Sequence, residues 1–250
     1  MNITNPLVSI ITVCFNSKTT IEKTISSVLN QTYKNIEYII VDGLSTDGTI
    51  EVINRFVDLF KKNNISFKVV SEKDNGIYDA MNKGISMSRG EIIGIINSDD
   101  WYEPIAVETA VNMYQETKYD LFYADIRIIK QNGKSFIKKA KKRKLASSRY
   151  WNHPTTFITA KTYDDLGKYK CHCIYDDFDM YLRVRKAKKN IRIKNMVLAN
   201  FTMGGVSNKK SIKNAIKRYK FRYWCYRNNV YSIFYFFECF LMEIVKFILS

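Results

Sequence analysis

Carboxylates stand at the ends of short apolar runs in the first hundred residues, and that placement narrows the chemistry open to them. Residues 7–14 lead to Phe15 and Asn16, and residues 36–41 lead to Asp42. Residues 67–70 lead to Glu72, Lys73 and Asp74, and residues 92–96 lead to Asn97, Ser98, Asp99 and Asp100. If these runs are neighbouring parallel strands, their ends gather at one sheet edge, where open α/β sheets take their ligands. Carboxylates crowded there repel one another unless a cation or hydrogen-bond donors sit among them. Hard oxygen ligands suit Mg2+ or Mn2+, and a divalent ion that also bridges a diphosphate is the economical occupant.

The elements needed to position those residues are legible. The run at 7–14 is almost continuously apolar, as a strand buried on both faces reads. Ile21, Ile25, Val28 and Leu29 then form a helical stripe. Residues 36–41 read as a second strand, 49–60 as a helix, 67–70 as a third strand, 77–87 as a helix and 92–96 as a fourth strand. Strands alternating with helices predict a mostly parallel sheet with right-handed crossovers. After residue 104 the rhythm changes: residues 121–129 and 135–137 flank Gln131-Asn132-Gly133, a hairpin signal. The last forty residues read as two helices broken near Asn228-Asn229. No repeat or low-complexity linker interrupts the chain.

Charge is unevenly distributed over the 250 residues. Residues 1–129 hold 12 Lys/Arg and 17 Asp/Glu, a net −5, and residues 130–250 hold 28 and 7, a net +21. The basic half implies an anionic partner. The five cysteines have no framework spacing and read as reduced thiols of a cytosolic compartment. Cys171-His172-Cys173 is too compact to close a tetrahedral metal site. No basic segment followed by an apolar run opens the chain, so no signal peptide is expected.

Seven segments resemble glycosyltransferase family 2 and its GT-A fold: VSIITVCFNS, EYIIVDGLSTDGT, VSEKDNGIYDAMNKGI, RGEIIGIINSDDWY, HPTTFI, IYDDFDMYLR and NFTMGGVS. They lie in the family's order over about residues 6–207, and together they are specific where the Asp-Asp pair alone is not. The resemblance implies a nucleotide-binding half at 1–103, an acceptor-binding half at 104–207 and appended helices at 208–250. It is nearest the members that build bacterial surface polysaccharides from UDP-sugars.

The resemblance also implies roles. Phe15, Asn16 and Asp42 would meet the nucleotide, with Asp42 on the uracil; its bland alternative is holding the turn before the helix at Thr49. Asp99 would contact the ribose and Asp100 the metal, against an N-cap role before Pro104. Asp74, Gly76, Asp79 and Lys83 would line the donor site, although Asp79 and Lys83 are also spaced to pair. In Asp176-Asp177-Phe178-Asp179 the family's usual Glu-Asp is Asp-Asp, a departure that keeps the second carboxylate. Asp177 would then be the base that deprotonates the acceptor hydroxyl, and Asp179 an ion-pair partner of Arg183. His153, Asp176, Gly204 and Gly205 are further candidates for donor or acceptor contacts, with structural roles as alternatives for His153 and the glycines.

The tail adds a separate expectation. Eight cationic residues lie between Lys209 and Arg227, and residues 230–249 are rich in aromatics. Glu238, Glu243 and Lys246 interrupt this stretch and fall within about 140° of a helical arc, one polar stripe on an otherwise apolar helix. An in-plane helix at an anionic membrane surface fits this pattern better than a span, with packing on the domain or a homodimer interface as alternatives. An undecaprenyl-diphosphate-linked saccharide acceptor, met at the cytoplasmic face of a bacterial inner membrane, would suit both the charge and the aromatics. No nucleic-acid motif accompanies the basic run. The rival readings are a sugar nucleotidyltransferase, whose Gly-rich basic loop is missing after the first strand, and an inactive nucleotide-sugar-binding scaffold.

Overall fold

A computed structural model describes residues 5–204 and 211–249. The first half is built as the apolar runs require. Strands β1 (Val8–Cys14), β2 (Ile36–Asp42), β3 (Ser66–Ser71) and β4 (Ile92–Ile95) pair in parallel in the order β3-β2-β1-β4. Helices α1 (Ile21–Leu29), α2 (Thr49–Asn54), α3 (Val57–Lys62) and α4 (Ile77–Met87) make the crossovers. The expected single helix at 49–60 is two. The chain tightens at Arg55 and Phe56, whose N–H groups reach Val52 and Ile53 three residues back. Phe60 then stacks against Phe67, with ring centroids 4.5 Å apart.

The second half continues the same sheet but mixes directions. The two-residue β5 (Trp101–Tyr102) and α5 (Ala106–Thr117) lead into β6 (Leu121–Ile129) and β7 (Ser135–Lys138), which form the expected hairpin. Strand β8 (Phe157–Thr159) runs antiparallel between β4 and β6, and β9 (Ile191–Thr202) runs parallel to β6 and antiparallel to β5. Helices α6 (Ala160–Leu166) and α7 (Asp176–Lys186) precede β9; α8 (Ile212–Asn228) and α9 (Tyr235–Leu249) close the chain.

Alternation along the strands sends Ile10, Tyr38 and Ile40 to one face and Ile11, Ile39 and Val41 to the other, giving two cores. The first is covered by α1 to α3 and α5. The second is covered by α4, α7 and α8, so the segments carrying Asp74, Asp177 and the basic tail share one face. Close packing of α4 requires Gly84: a Cβ there would lie 2.5 Å from Ile11 Cγ2.

Candidate active site

The carboxyl ends of β1, β2 and β4 are knitted together by short polar side chains. Asn16, in a left-handed conformation with φ 49°, receives a hydrogen bond from Thr46 N on its Oδ1 and donates its own N–H to Ser45 Oγ, at 2.9 and 2.8 Å. Ser17 Oγ meets Ser98 Oγ at 2.8 Å, joining the β1 loop to the acidic loop after β4. Gly43 leaves room for Asp74, whose Oδ2 lies 2.5 Å from where a Cβ on residue 43 would be. Four of the predicted loops therefore form one continuous rim.

Asp42 is fully buried within this rim. Its Oδ2 accepts from Ser45 N at 2.9 Å and Ser71 Oγ at 2.7 Å, and its Oδ1 accepts from Ser45 Oγ and Cys14 Sγ. It holds the turn, the bland role the sequence allowed it. The side chain exposed beside it is Phe15.

The acidic pair sits on the turn from β4 into β5. Asp99 is half-buried and Asp100 fully buried. Thr202, at the end of β9, clasps both: its Oγ1 donates to Asp99 O, and its N–H donates to Asp100 Oδ1, each at 3.0 Å. Among the described residues Asp100 Oδ2 has no hydrogen-bond partner, and neither does the buried Asn97 Oδ1 in the same loop. Burial raises the Asp99 carboxyl pKa; burial and then the neighbouring Asp99 raise that of Asp100 well above the usual carboxylate range. A buried carboxylate oxygen without a donor is costly, and a divalent cation coordinated there would satisfy it. The residues therefore fit Mg2+ or Mn2+, with oxygen donors only. No group of three or more His, Cys, Asp or Glu that could hold a metal occurs among the described residues, so an ion bound here would need ligands from outside that set.

The donor-side loop runs from Asp74 into α4. Asp74 Oδ1 accepts from Gly76 N at 2.8 Å. Gly76 has φ +112°, a backbone that strains any L side chain. Asp79 caps Asn75 N at 2.9 Å and stands 3.9 Å from Lys83. Lys83 is drawn instead to Glu72, at 2.9 Å, and to the Lys73 carbonyl.

At the start of α7 the three aspartates separate by environment. Asp176 is buried and accepts from His172 N and Cys173 N at 2.6 and 3.2 Å, fixing the loop. Asp179 is buried in ion pairs with Lys170 and Arg183 at 3.2 and 3.0 Å. Asp177 alone is half-exposed. Its Oδ1 accepts from Tyr78 Oη at 2.9 Å and from Phe178 N at 2.8 Å, while Oδ2 has no hydrogen-bond partner among the described residues. Tyr78 is on the first turn of α4, so one hydroxyl ties the donor-side helix to the candidate base.

Tyr78 was not anticipated from the sequence, and neither was Lys138. The Lys138 ammonium donates to the carbonyls of Trp151 and Ser148, and burial pulls its pKa down to about 8 against the opposing charge of Asp177. Burial likewise lowers the pKa of His153, again opposed by Asp177, and the imidazole stands edge-on to Trp151. Gly204 has φ +151°, and Gly205 lies outside the described residues.

The mixed sheet with its flanking helices is a GT-A architecture. The family described as Glycosyl transferase family 2 matches residues 9–184, and the chain belongs to it. It is 34% identical over 127 residues to the UDP-Glc:alpha-D-GlcNAc-diphosphoundecaprenol beta-1,3-glucosyltransferase of Escherichia coli, covering 50% of this chain and 47% of that protein. It is 37% identical over 113 residues to the chondroitin synthase of Pasteurella multocida, covering 45% of this chain but 11% of that protein. The matches thus span half or less of these relatives' lengths. Among solved structures, the mannosyltransferase PcManGT from Pyrobaculum calidifontis in complex with GDP-Man and Mn2+ superposes with a TM-score of 0.69 at 16% identity, over 90% of this chain and 64% of that one. S. aureus TarS in complex with UDP-GlcNAc superposes with a TM-score of 0.67 at 17% identity, over 89% and 65%. These two likenesses concern the fold.

Proposed function

We propose that this glycosyltransferase moves a hexose from UDP-glucose or UDP-galactose to an undecaprenyl-diphosphate-linked GlcNAc-type saccharide, forming a β-glycosidic bond in surface-polysaccharide assembly at the cytoplasmic face of a bacterial inner membrane. The observation that carries this reading is the buried Asp100 with one carboxylate oxygen unpartnered at the sheet edge. The donor and acceptor classes draw support from the printed activity of the E. coli relative.

In this reading Asp100 holds Mg2+ or Mn2+, which when bound supplies positive charge for the departing diphosphate. Phe15 and Asn16 flank the nucleotide, Asp99 faces the ribose, and Asp74 with the Gly76 backbone borders the sugar. Asp42 acts on the uracil through the turn it holds. Asp177 Oδ2 takes the proton from the acceptor hydroxyl, whose oxygen attacks the anomeric carbon as the bond to UDP breaks. Because nucleophile and leaving group occupy opposite faces, an α-linked donor gives a β product. Tyr78 keeps Asp177 Oδ1 occupied, so Oδ2 remains the basic oxygen.

A screen of UDP-sugar consumption with Mn2+ tests this proposal. At least one UDP-hexose is consumed by the native chain and not by Asp100→Ala. Asp177→Asn binds that donor normally but loses about 10²–10⁴ in transfer rate, the usual weight of a general base. Failure of every UDP-sugar to bind removes the donor assignment; full activity in Asp177→Asn removes the base.

A further inference from the structure

The C-terminal helix pair is turned inside out relative to an ordinary surface helix. The two carboxylates of α9 point inward. Glu243 is buried between Arg218 and Arg222, at 2.9 and 3.1 Å. Glu238 accepts hydrogen bonds from Ser147 Oγ and Tyr226 Oη. Tyr235 stacks on Tyr226, and Cys239 is fully buried. The helix therefore docks on the domain through its polar stripe, and two of the cations expected to face a membrane, Arg218 and Arg222, are instead used inside because Glu243 claims them. The Lys246 side chain lies outside the described residues.

What faces outward is apolar. Phe234, Phe237, Phe240 and Leu241 are 67%, 54%, 57% and 59% exposed. A groove of about 370 Å³ runs between this face and residues 145–150, with Phe237 and Leu241 on one wall and Leu145 and Tyr150 on the other. The Arg143 and Arg149 guanidiniums flank the Tyr150 ring, 6.0 and 5.9 Å from its centroid. On α8, Lys213, Lys217 and Lys220 are exposed. From Met180 to the end of the chain the acidic residues are Glu238 and Glu243 alone, and both are turned inward.

An apolar patch of this kind marks an interaction surface, and its charge selects the partner. A second copy would bring the same cations to the same face, and like charges repel. A surface that is apolar within and anionic at its boundary matches both features. At 15 residues α9 is about 22 Å long, short of the roughly 30 Å hydrocarbon core, and no helix among the described residues is long and apolar enough to cross a membrane.

We infer that the outer face of α9 and the adjoining groove dock in the plane of an anionic phospholipid leaflet, with Phe234, Phe237, Phe240 and Leu241 among the acyl chains and Arg143, Arg149 and the α8 lysines at the phosphates. This docking does not depend on which sugar or acceptor the active site uses. Co-sedimentation of the full chain with vesicles of phosphatidylcholine, alone or mixed with anionic phosphatidylglycerol, tests it. The chain sediments with the anionic vesicles, and raising the salt releases it, because screening shortens the reach of the cations. Arg143→Gln/Arg149→Gln weakens binding roughly 25-fold, about fivefold per cation. Phe237→Ser/Phe240→Ser abolishes it while thermal unfolding and UDP binding stay native, since both rings are on the surface. No sedimentation with anionic vesicles overturns the inference. So does a concentration-dependent dimer in sedimentation velocity that Phe237→Ser/Phe240→Ser converts to monomer, which would make a second copy the occupant.

Discussion

Replacing Asp100 by Asn should make the ligand-free protein more stable and the ligand-bound protein less so. The native carboxylate is fully buried, Thr202 N satisfies Oδ1, and Oδ2 has no partner among the described residues. An unsatisfied buried polar group costs about 1–3 kcal/mol, and more when it is charged. Asn keeps the acceptor for Thr202 and removes the charge, so a gain of about 1–2 kcal/mol is expected without ligand. At roughly 2–4 °C per kcal/mol for a chain of this size, the unfolding midpoint rises by about 2–8 °C. Adding Mn2+ and UDP at about a hundredfold over Kd stabilises the native chain by about 2.7 kcal/mol, roughly 5–11 °C, and the Asn chain by far less. The order of the two midpoints therefore inverts on addition of ligand in a thermal-shift assay. pH adds an internal control. The folded pKa of Asp100 is raised, so its penalty is absent below the ordinary carboxylate range and grows as pH rises through the folded value; the ligand-free difference should shrink in acid. A ligand-free variant less stable than the native chain, or one that keeps the whole ligand shift, would refute the reasoning.

Other residues give independent checks. Tyr78→Phe removes the hydroxyl that holds Asp177 Oδ1. Hydrogen bonds to charged groups are worth about 1.5–3 kcal/mol, so kcat should fall roughly 10- to 100-fold with KM little changed. Glu243→Ala leaves Arg218 and Arg222 buried without their carboxylate, and a loss of about 3–5 kcal/mol is expected in urea unfolding, with faster amide exchange in α8 and α9. Lys138 titrates near 8 when folded, against 10.5 for the free side chain, so at this group the unfolded chain binds more protons between those values and its share of stability rises with pH across that window. Buried tyrosines and cysteines with raised pKa values pull the other way in this range, so Lys138→Met is read by difference: its urea midpoint should rise less, or fall more, than the native chain's between pH 7.5 and 10.

The strands whose ends were plainest in the sequence were those buried on both faces, while the partly exposed β3 and β7 were read from their place in the alternation and from the Asn132-Gly133 turn. Val8–Cys14, Ile36–Asp42 and Ile92–Ile95 are wholly buried, so their apolar runs are unbroken and their ends stand out. Strand β8 is three residues long, too short to show a period. Strand β9 carries a register shift opposite Ala124 and Asp125 that breaks its alternation. The break at Arg55 and Phe56 has neither Gly nor Pro to announce it. In the site, the carboxylates could be named because they sit at strand ends or in recognisable segments. Tyr78 could not, since its partner Asp177 is 99 residues away. The polar stripe of α9 was visible, but the direction it faces is decided by Arg218 and Arg222, 25 and 21 residues earlier.

Arg222 has a second contact besides Glu243: its Nη2 donates to Tyr175 Oη at 2.9 Å. Tyr175 is the residue immediately before α7, two positions ahead of Asp177. A single guanidinium thus spans the distance between α9 and the peptide that leads to Asp177. An outward displacement of α9 would therefore be felt at Tyr175 through Arg222, and from there at the peptide leading to Asp177.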